Sequence, residues 1–263
     1  MNFDEVAREY SRVAIVQKNA GIRLIELLRI GEKDDVLDAG CGNGALTAVI
    51  REITKGRIVG IDSSRKMIEE AKKRVKGVEF YVMRVEDLEF ENEFDIIFSN
   101  SSFQWFDADR ALERFKACLR DGGKVGVQAP ARKDYSPTFL RAVEAVRNSE
   151  IGKIFKHFRS PWFFLDSEEE YIKLFERHGF EVEHCRIEKV VTRHTPEELL
   201  KIFSSGAVAA YLNPKFYERA DGVDEAYRRK FLEIVRREFE NMAINGLVEL
   251  VFYRVYILAV IFK

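Results

Sequence analysis

Residues 36–46 read VLDAGCGNGAL, with glycines at positions 40, 42 and 44 and an acid, Asp38, just ahead of them. An apolar run that ends in alternate glycines describes a strand that stops, turns tightly and becomes a helix. With no side chains at such a turn, a ligand lies against the backbone at the helix start. A second acid, Asp62, follows Gly40 by 22 residues and closes the next apolar run, GRIVGID. A carboxylate there accepts two hydrogen bonds from a ribose diol and repels a 2′-phosphate. A dinucleotide site shares these features, which keeps a nicotinamide-dependent oxidoreductase among the readings. Three others point away from it. The spacing is G-x-G-x-G, and Ala45 satisfies G-x-G-x-x-A only formally. A carboxylate at Asp38 would stand beside a pyrophosphate, and it favours a cation or an amine instead. A polar and aromatic cluster, SNSSFQWF, ends the later run FDIIF, at the edge where a transferred group would emerge.

The elements that must hold these residues alternate. DVLDAG, GRIVGID, VEFYVM, FDIIFSN and KVGVQAP read as strands, with ALTAVIREI, SSRKMIEEAKKRVKG and DADRALERFKACLRDGG as helices among them. Ser63 or Ser64 caps the second of these helices, Gly77 closes it, and a glycine turn ends the third. Strands separated by helices of about ten to fifteen residues indicate right-handed crossovers and a parallel sheet. Residues 31–130 are therefore the core of a doubly wound α/β domain, whose ligands bind beyond the carboxyl ends of its strands. Residues 1–30 carry apolar positions at helical spacing and read as one or two covering helices. After Pro130 the rhythm breaks into helical patterns: SPTFLRAVEAVRNSEIGKIFKHF, SEEEYIKLFERHGF, TPEELLKIFSSGAVAAYL and VDEAYRRKFLEIVRREFENMA. EVEHCRIEKVV and LVELVFYRVYILAVIFK read as strands. One domain over 1–263 is expected, with residues 131–263 supplying inserted lid helices and the last strands.

The chain has 263 residues, 46% of them hydrophobic and 33% charged, enough for a large core and too polar for a membrane protein. A formal net charge of -1 provides no global basic field for a nucleic acid. Cys41, Cys118 and Cys185 lie far apart without metal-ligand spacing, so no metal site is expected. The opening segment lacks the apolar core of a signal peptide, and VYILAVIF is too short to span a bilayer. A cytoplasmic monomer or homodimer, with no nucleic acid or membrane partner, is the expectation.

At this point the chain resembles the class I S-adenosylmethionine-dependent methyltransferases. VLDAGCGNG is similar to their first motif, VGIDSSRKMIEEA to their second, and FDIIFSNSSFQWF with LRDGGKVGVQAP to their fourth and fifth. The resemblance implies a Rossmann-like, mostly parallel seven-stranded sheet with an antiparallel C-terminal strand. A narrower likeness, in AREYSRVAIVQ, FSNSSFQW and VGVQAP, runs to two groups, the first of which the C-terminal IFSSGAVAAYLNP and GLVELVFYRVYILAVIFK also resemble in arrangement. These are trans-aconitate methyltransferase and the malonyl-carrier-protein methyltransferase of biotin synthesis, which both methylate a carboxylate oxygen. By that resemblance Asp38, Gly40, Cys41, Gly42 and Gly44 would line the methionine half of S-adenosyl-L-methionine. Asp62 would hold the ribose, with Ser63 and Met67 near the adenine. Asn100 would reach the cofactor from the fourth strand, and Tyr10 and Gln17 would close over its methionine end. The aspartate such families place after the third strand falls on Arg84, leaving Glu86 and Asp87 as substitutes.

The implied acceptor is a small-molecule carboxylate or an acyl group on a carrier. A carboxylate is ionised at neutral pH, so no obligatory catalytic side chain is expected. Gln104 and Trp105 would orient the acceptor, and Arg132 with Lys133 would supply a cationic anchor. A hydroxyl or amine acceptor would need a base, for which His157 and Tyr135 are the first candidates. A protein that binds the cofactor without catalysis is a further reading. His184 and Cys185 are adjacent on a strand and point to opposite faces, so they do not form a ligand pair.

Overall fold

The computed structural model describes residues 20–206 and 208–263, so the expectations for Tyr10 and Gln17 lie outside the described residues. In chain order the elements are a helix over residues 20–28 (α1), β1 (Val36–Ala39), α2 (Ala45–Ile53), β2 (Ile58–Asp62), α3 (Arg65–Arg74), β3 (Glu79–Val82), β4 (Phe94–Asn100), α4 (Ala108–Cys118) and β5 (Leu119–Pro130). There follow α5 (Pro137–Arg147), α6 (Gly152–Phe155), α7 (Glu168–Arg177), β6 (Phe180–His194), α8 (Pro196–Ser205), α9 (Val208–Tyr211), α10 (Glu225–Met242) and β7 (Val248–Ile261). These divide into two compact units. Among the described residues, the first comprises 20–133, 163–188 and 254–263, and the second 134–162 and 189–253.

The first unit is built on a seven-stranded sheet of order β3-β2-β1-β4-β5-β7-β6. β1 pairs in parallel with β2 and β4, β2 with β3, and β4 with β5, whereas β7 runs antiparallel to β5. The central strands are largely apolar because both faces are covered. On one face Leu37, Ile97, Val127 and Ile257 pack against Leu112 and Phe115 of α4 and Phe175 of α7. On the other, Val36, Ile96, Phe98 and Leu258 pack under Leu24, Ile25 and Leu28 of α1. Leu24 and Leu28 are almost fully buried, and each contributes about 1.5–3 kcal/mol of hydrophobic stabilisation.

Three boundaries differ from the sequence pattern. The helix begun by the Ser64 cap ends at Arg74, before Gly77. Its Val75 is extended and buries its β-branched side chain with Ile68 and Ala71 instead. α4 ends at Cys118, because Leu119 is already paired with Phe94. The helix begun at Pro196 stops at Ser205, and a separate turn of helix starts at Val208.

In the second unit α5, α8 and α10 share an aromatic core. The rings of Phe139 and Phe203 meet edge to face at 5.0 Å, and Phe203 stacks with Phe231. Thr195 and Glu198 close a capping box at the start of α8, and Asp224 caps α10. α10 buries Tyr227, Phe231, Ile234, Val235 and Phe239 along one stripe, leaving its charged residues outside. No helix among the described residues is long and apolar enough to cross a membrane.

Candidate functional site

β1 delivers the glycine turn to the carboxyl edge of the sheet. Gly40, Gly42 and Gly44 all adopt positive φ, at 83°, 54° and 77°, a backbone that side chains resist. Each does a different job. A Cβ at Gly40 would lie 2.4 Å from Cβ of Ser102, so this glycine lets the loop after β4 press against the turn. A Cβ at Gly44 would meet Ala71 at 3.1 Å, so this one lets α2 approach α3. Among the described residues, a Cβ at Gly42 would meet nothing within 4 Å: there the backbone faces open space. Gly42 is the point at which a ligand can approach the main chain.

Asp62, at the end of β2, braces the same turn. One carboxylate oxygen accepts from the Gly42 N–H at 3.0 Å and the other from the Ser64 N–H at 2.8 Å. Each oxygen keeps a lone pair for a hydroxyl group. Asp38 is buried on β1 and accepts a 2.6 Å hydrogen bond from the Thr47 hydroxyl on α2. Burial pushes its pKa up to about 7. The Thr47 bond opposes the rise, and the Asp62 charge adds to it. Cys41 packs with Ile68, Ala71 and Phe80; burial and the two neighbouring carboxylates push its thiol far above the ordinary range. Ser63 and Met67 are exposed beside the end of β2.

The loop after β4 carries the other half of the site. The Ser102 hydroxyl bridges the Ser99 hydroxyl and the Ala39 carbonyl, at 3.0 and 2.9 Å, tying β4 to β1. Ser101 takes a positive φ of 56°, and its N–H donates to the Gln128 carbonyl at 2.7 Å. Asn100 is at the strand end, and its Oδ1 is buried without a hydrogen-bond partner among the described residues. Gln104 is buried. Its Nε2 donates to the Ser101 carbonyl at 2.9 Å, and its Oε1 has no partner among the described residues. Trp105 beside it is 40% exposed.

Glu86 and Asp87 sit differently from each other. Glu86 is buried, with one oxygen accepting from the Asp107 N–H at 2.9 Å and the other from Arg84 at 3.2 Å. Burial would raise its pKa, but these two bonds outweigh that and hold it below the ordinary carboxylate range. Asp87 is exposed. Arg132 adopts φ 72° and donates its N–H to the Leu165 carbonyl, while Lys133 pairs with Asp166. Tyr135 is unsuited to the role of base. Its hydroxyl lies 3.4 Å from that of Tyr211, and burial raises its pKa well above the ordinary phenol value. No group of three or more His, Cys, Asp or Glu among the described residues is placed to hold a metal ion.

Five residues that the motif did not single out belong to this edge: Thr47, Ser101, Ser102, Gln128 and Arg254. Two carry a signal in the sequence. Gln128 and Arg254 are polar residues inside the apolar stretches VGVQAP and VFYRVYILAVI of β5 and β7, and both are buried. A buried polar group in a strand calls for a partner.

Residues 36–123 match the family described as methyltransferase domain. The chain is 30% identical over 161 residues to a malonyl-[acyl-carrier protein] O-methyltransferase of Acetivibrio thermocellus, covering 59% of this chain and 57% of that one. It is 31% identical over 127 residues to a trans-aconitate 2-methyltransferase of Acidovorax ebreus, covering 48% and 49%. The chain thus spans about half the length of the curated relatives it matches. Among solved structures it shares the fold of the YcgJ protein from Bacillus subtilis, with a TM-score of 0.62 and 16% identity over 94% of this chain and 99% of that one.

Proposed function

We propose that this chain, which carries a methyltransferase domain, transfers a methyl group from S-adenosylmethionine to the carboxylate oxygen of a small organic acid or acyl group. The observation that carries the reading is the pairing of open backbone at Gly42 with two acceptors on the same edge, Asp38 and the unpartnered Asn100 Oδ1. That set suits a ligand with cationic groups and a ribose, which is what S-adenosylmethionine presents, and gives a pyrophosphate only a carboxylate to meet. The two relatives named above, whose names describe methyl transfer to acids, support the acceptor class. An acyl-carrier substrate is one form of that class.

When bound, S-adenosylmethionine supplies an electrophilic methyl group on a sulfonium. The protein's contribution is alignment and exclusion of water. Asp62 holds the ribose diol while fixing the Gly42 and Ser64 backbone. Asp38 and Asn100 receive the positive end, and Glu86 or Asp87 would serve the adenine side. Gln104, fixed through its Nε2, would line the acceptor side, with Trp105 and Arg132 as further orienting groups. A carboxylate acceptor is already ionised, so no side chain needs to remove a proton.

The direct test is incubation with S-adenosylmethionine and a panel of mono-, di- and tricarboxylates, read as methyl ester by mass spectrometry. Esters are expected; methylation of hydroxyl or amine acceptors alone would overturn the reading. Gln104→Ala is expected to lower turnover about tenfold while leaving cofactor affinity within twofold, because the lost group faces the acceptor. Equal loss of both would make Gln104 structural.

Asp38 imposes a pH dependence. Its carboxyl holds a proton up to about pH 7, and a cationic ligand must displace it. Cofactor affinity is expected to rise between about pH 5 and 7 and then level off. Calorimetry at pH 6 in two buffers of different ionisation enthalpy reads the proton released. The ligand-free fold moves the opposite way. With a folded pKa of about 7 against 3.8 for the free side chain, this group's contribution to stability is fully present below pH 4 and lost as pH rises to 7.

A further inference from the structure

Ser101 sits between two carboxamides of the first unit. The strand register sets Asn100, at the end of β4, opposite Gln128 on β5. Residues level with each other across a pair of strands share a face of the sheet, so the two carboxamides lie on one face. Asp38 is on that face too, since it is level with Phe98, two residues before Asn100. Ser101 follows β4 in left-handed backbone, which residues other than glycine rarely adopt and keep only where their surroundings hold them there. Two bonds hold it. Its N–H donates to the Gln128 carbonyl at 2.7 Å, and its carbonyl accepts from Gln104 Nε2 at 2.9 Å.

The result is a hydrogen-bond relay with a direction. Ser101 Oγ donates to Gln128 Oε1 at 3.0 Å and accepts from Asn100 Nδ2 at 3.4 Å. A hydroxyl has one proton to give. With that proton committed to Gln128, the hydroxyl offers Asn100 only lone pairs, so the Asn100 carboxamide turns its NH2 group inward and its Oδ1 away. That Oδ1 is buried with no partner among the described residues, and so is Gln128 Nε2 at the other end of the relay. With both carboxamides turned over, the relay would run backwards and present an NH2 group where Oδ1 now stands. A cationic ligand distinguishes the two arrangements, because only the acceptor receives it.

We infer that Gln128 and Ser101 are positioning residues of the cofactor site: they commit the Asn100 carboxamide to the orientation in which Oδ1 meets the cationic end of S-adenosylmethionine. The inference rests on the reading above that Asn100 receives that end, and it is independent of the identity of the methyl acceptor. It gives Gln128 a task despite complete burial. Its Oε1 takes the Ser101 proton, which an apolar side chain of similar size cannot do. The idle Nε2 is the desolvation cost that this arrangement carries. Without the Gln128 acceptor, the Ser101 proton turns to Asn100 Oδ1, and the carboxamide then presents its NH2 group to the cation.

Calorimetric titration of the whole chain with S-adenosylmethionine, and with 5′-methylthioadenosine as a nucleoside lacking both cationic groups, tests this. Gln128→Met is expected to weaken S-adenosylmethionine about fivefold and the nucleoside less than twofold. Its melting temperature should be unchanged or raised, because an unpartnered buried donor is removed. Ser101→Ala, which cuts the relay at its centre, is expected to weaken S-adenosylmethionine about threefold with the same selectivity. In an Asn100→Asp background the side chain accepts whichever way it turns, so adding Gln128→Met should change S-adenosylmethionine affinity by less than twofold. Equal loss of both ligands, or the same loss in the Asn100→Asp background, makes Gln128 merely structural and overturns the relay. Asn100→Ala separates the two possible failures. Affinity lost there but unmoved in Gln128→Met and Ser101→Ala overturns the relay and leaves the placement of the cofactor standing. Affinity unmoved in Asn100→Ala overturns that placement, and the relay with it.

Discussion

Asp62→Ala is expected to lower affinity for S-adenosylmethionine by more than tenfold. The carboxylate ties the Gly42 N–H and the Ser64 N–H at once, and so fixes the turn and the start of α3 in one posture. Hydrogen bonds to a charged group are worth about 1.5–3 kcal/mol each, and about 1.4 kcal/mol is already a factor of ten. The variant loses the groups that would receive the ribose hydroxyls and leaves two backbone donors to water. Calorimetric titration with S-adenosylmethionine and its demethylated product reads the change. Asp62→Asn separates the two causes: the amide keeps an acceptor for one N–H but presents a donor in place of the second oxygen. Its affinity should fall between those of wild type and the alanine variant. Unchanged affinity in both would remove Asp62 from the site.

Gly40→Ala and Gly42→Ala are expected to fail in different ways, although they are two residues apart in one motif. At Gly40 the new methyl group meets Ser102 Cβ at 2.4 Å and its Oγ at 2.5 Å, and neither can yield without breaking the bond from Ser102 to the Ala39 carbonyl. Strain at positive φ adds about 1–2 kcal/mol, and overpacking about 1–3 kcal/mol. Thermal unfolding should therefore shift down by roughly 5–15 °C for a chain of this size. At Gly42 the methyl group enters open space. Only the conformational strain remains, so the melting temperature should fall by roughly 2–6 °C. The cofactor affinity should fall more steeply, because the methyl occupies the ligand's approach to the backbone. Differential scanning fluorimetry alongside titration distinguishes the two patterns. Equal behaviour at both positions would mean that Gly42 faces protein rather than ligand.

The alternation of strands and helices through Pro130 was legible because each element carries its own period. β1, β2 and β4 are largely apolar runs, and α2 begins where the glycine turn says it must. The Ser64 and Thr195 caps were legible for the same reason, since a cap is a contact between residues three apart. Boundaries were harder wherever a side chain's burial competed with a local signal. Val75 leaves the helix two residues before Gly77 and packs with Ile68, Ala71 and Phe80, and Leu119 joins β5 in the middle of a segment that reads as a helix ending in a glycine turn.

The sequence by itself determined the glycine turn, the two carboxylates at the ends of β1 and β2, and the Asn100 and Gln104 pair after β4. Each of these is a short-range pattern of residue type and spacing. Tertiary structure decided what those groups can do. It turned Gly40 into a packing contact with Ser102 and left Gly42 open, a difference that depends on what lies across the turn. It engaged both oxygens of Glu86 within the protein. It raised the pKa of Asp38 by burying it. It also brought Gln128 and Tyr256 together, 128 positions apart in sequence, because the antiparallel register of β7 on β5 sets them opposite each other. Register is a property of a pair of strands, and no single stretch of sequence contains it.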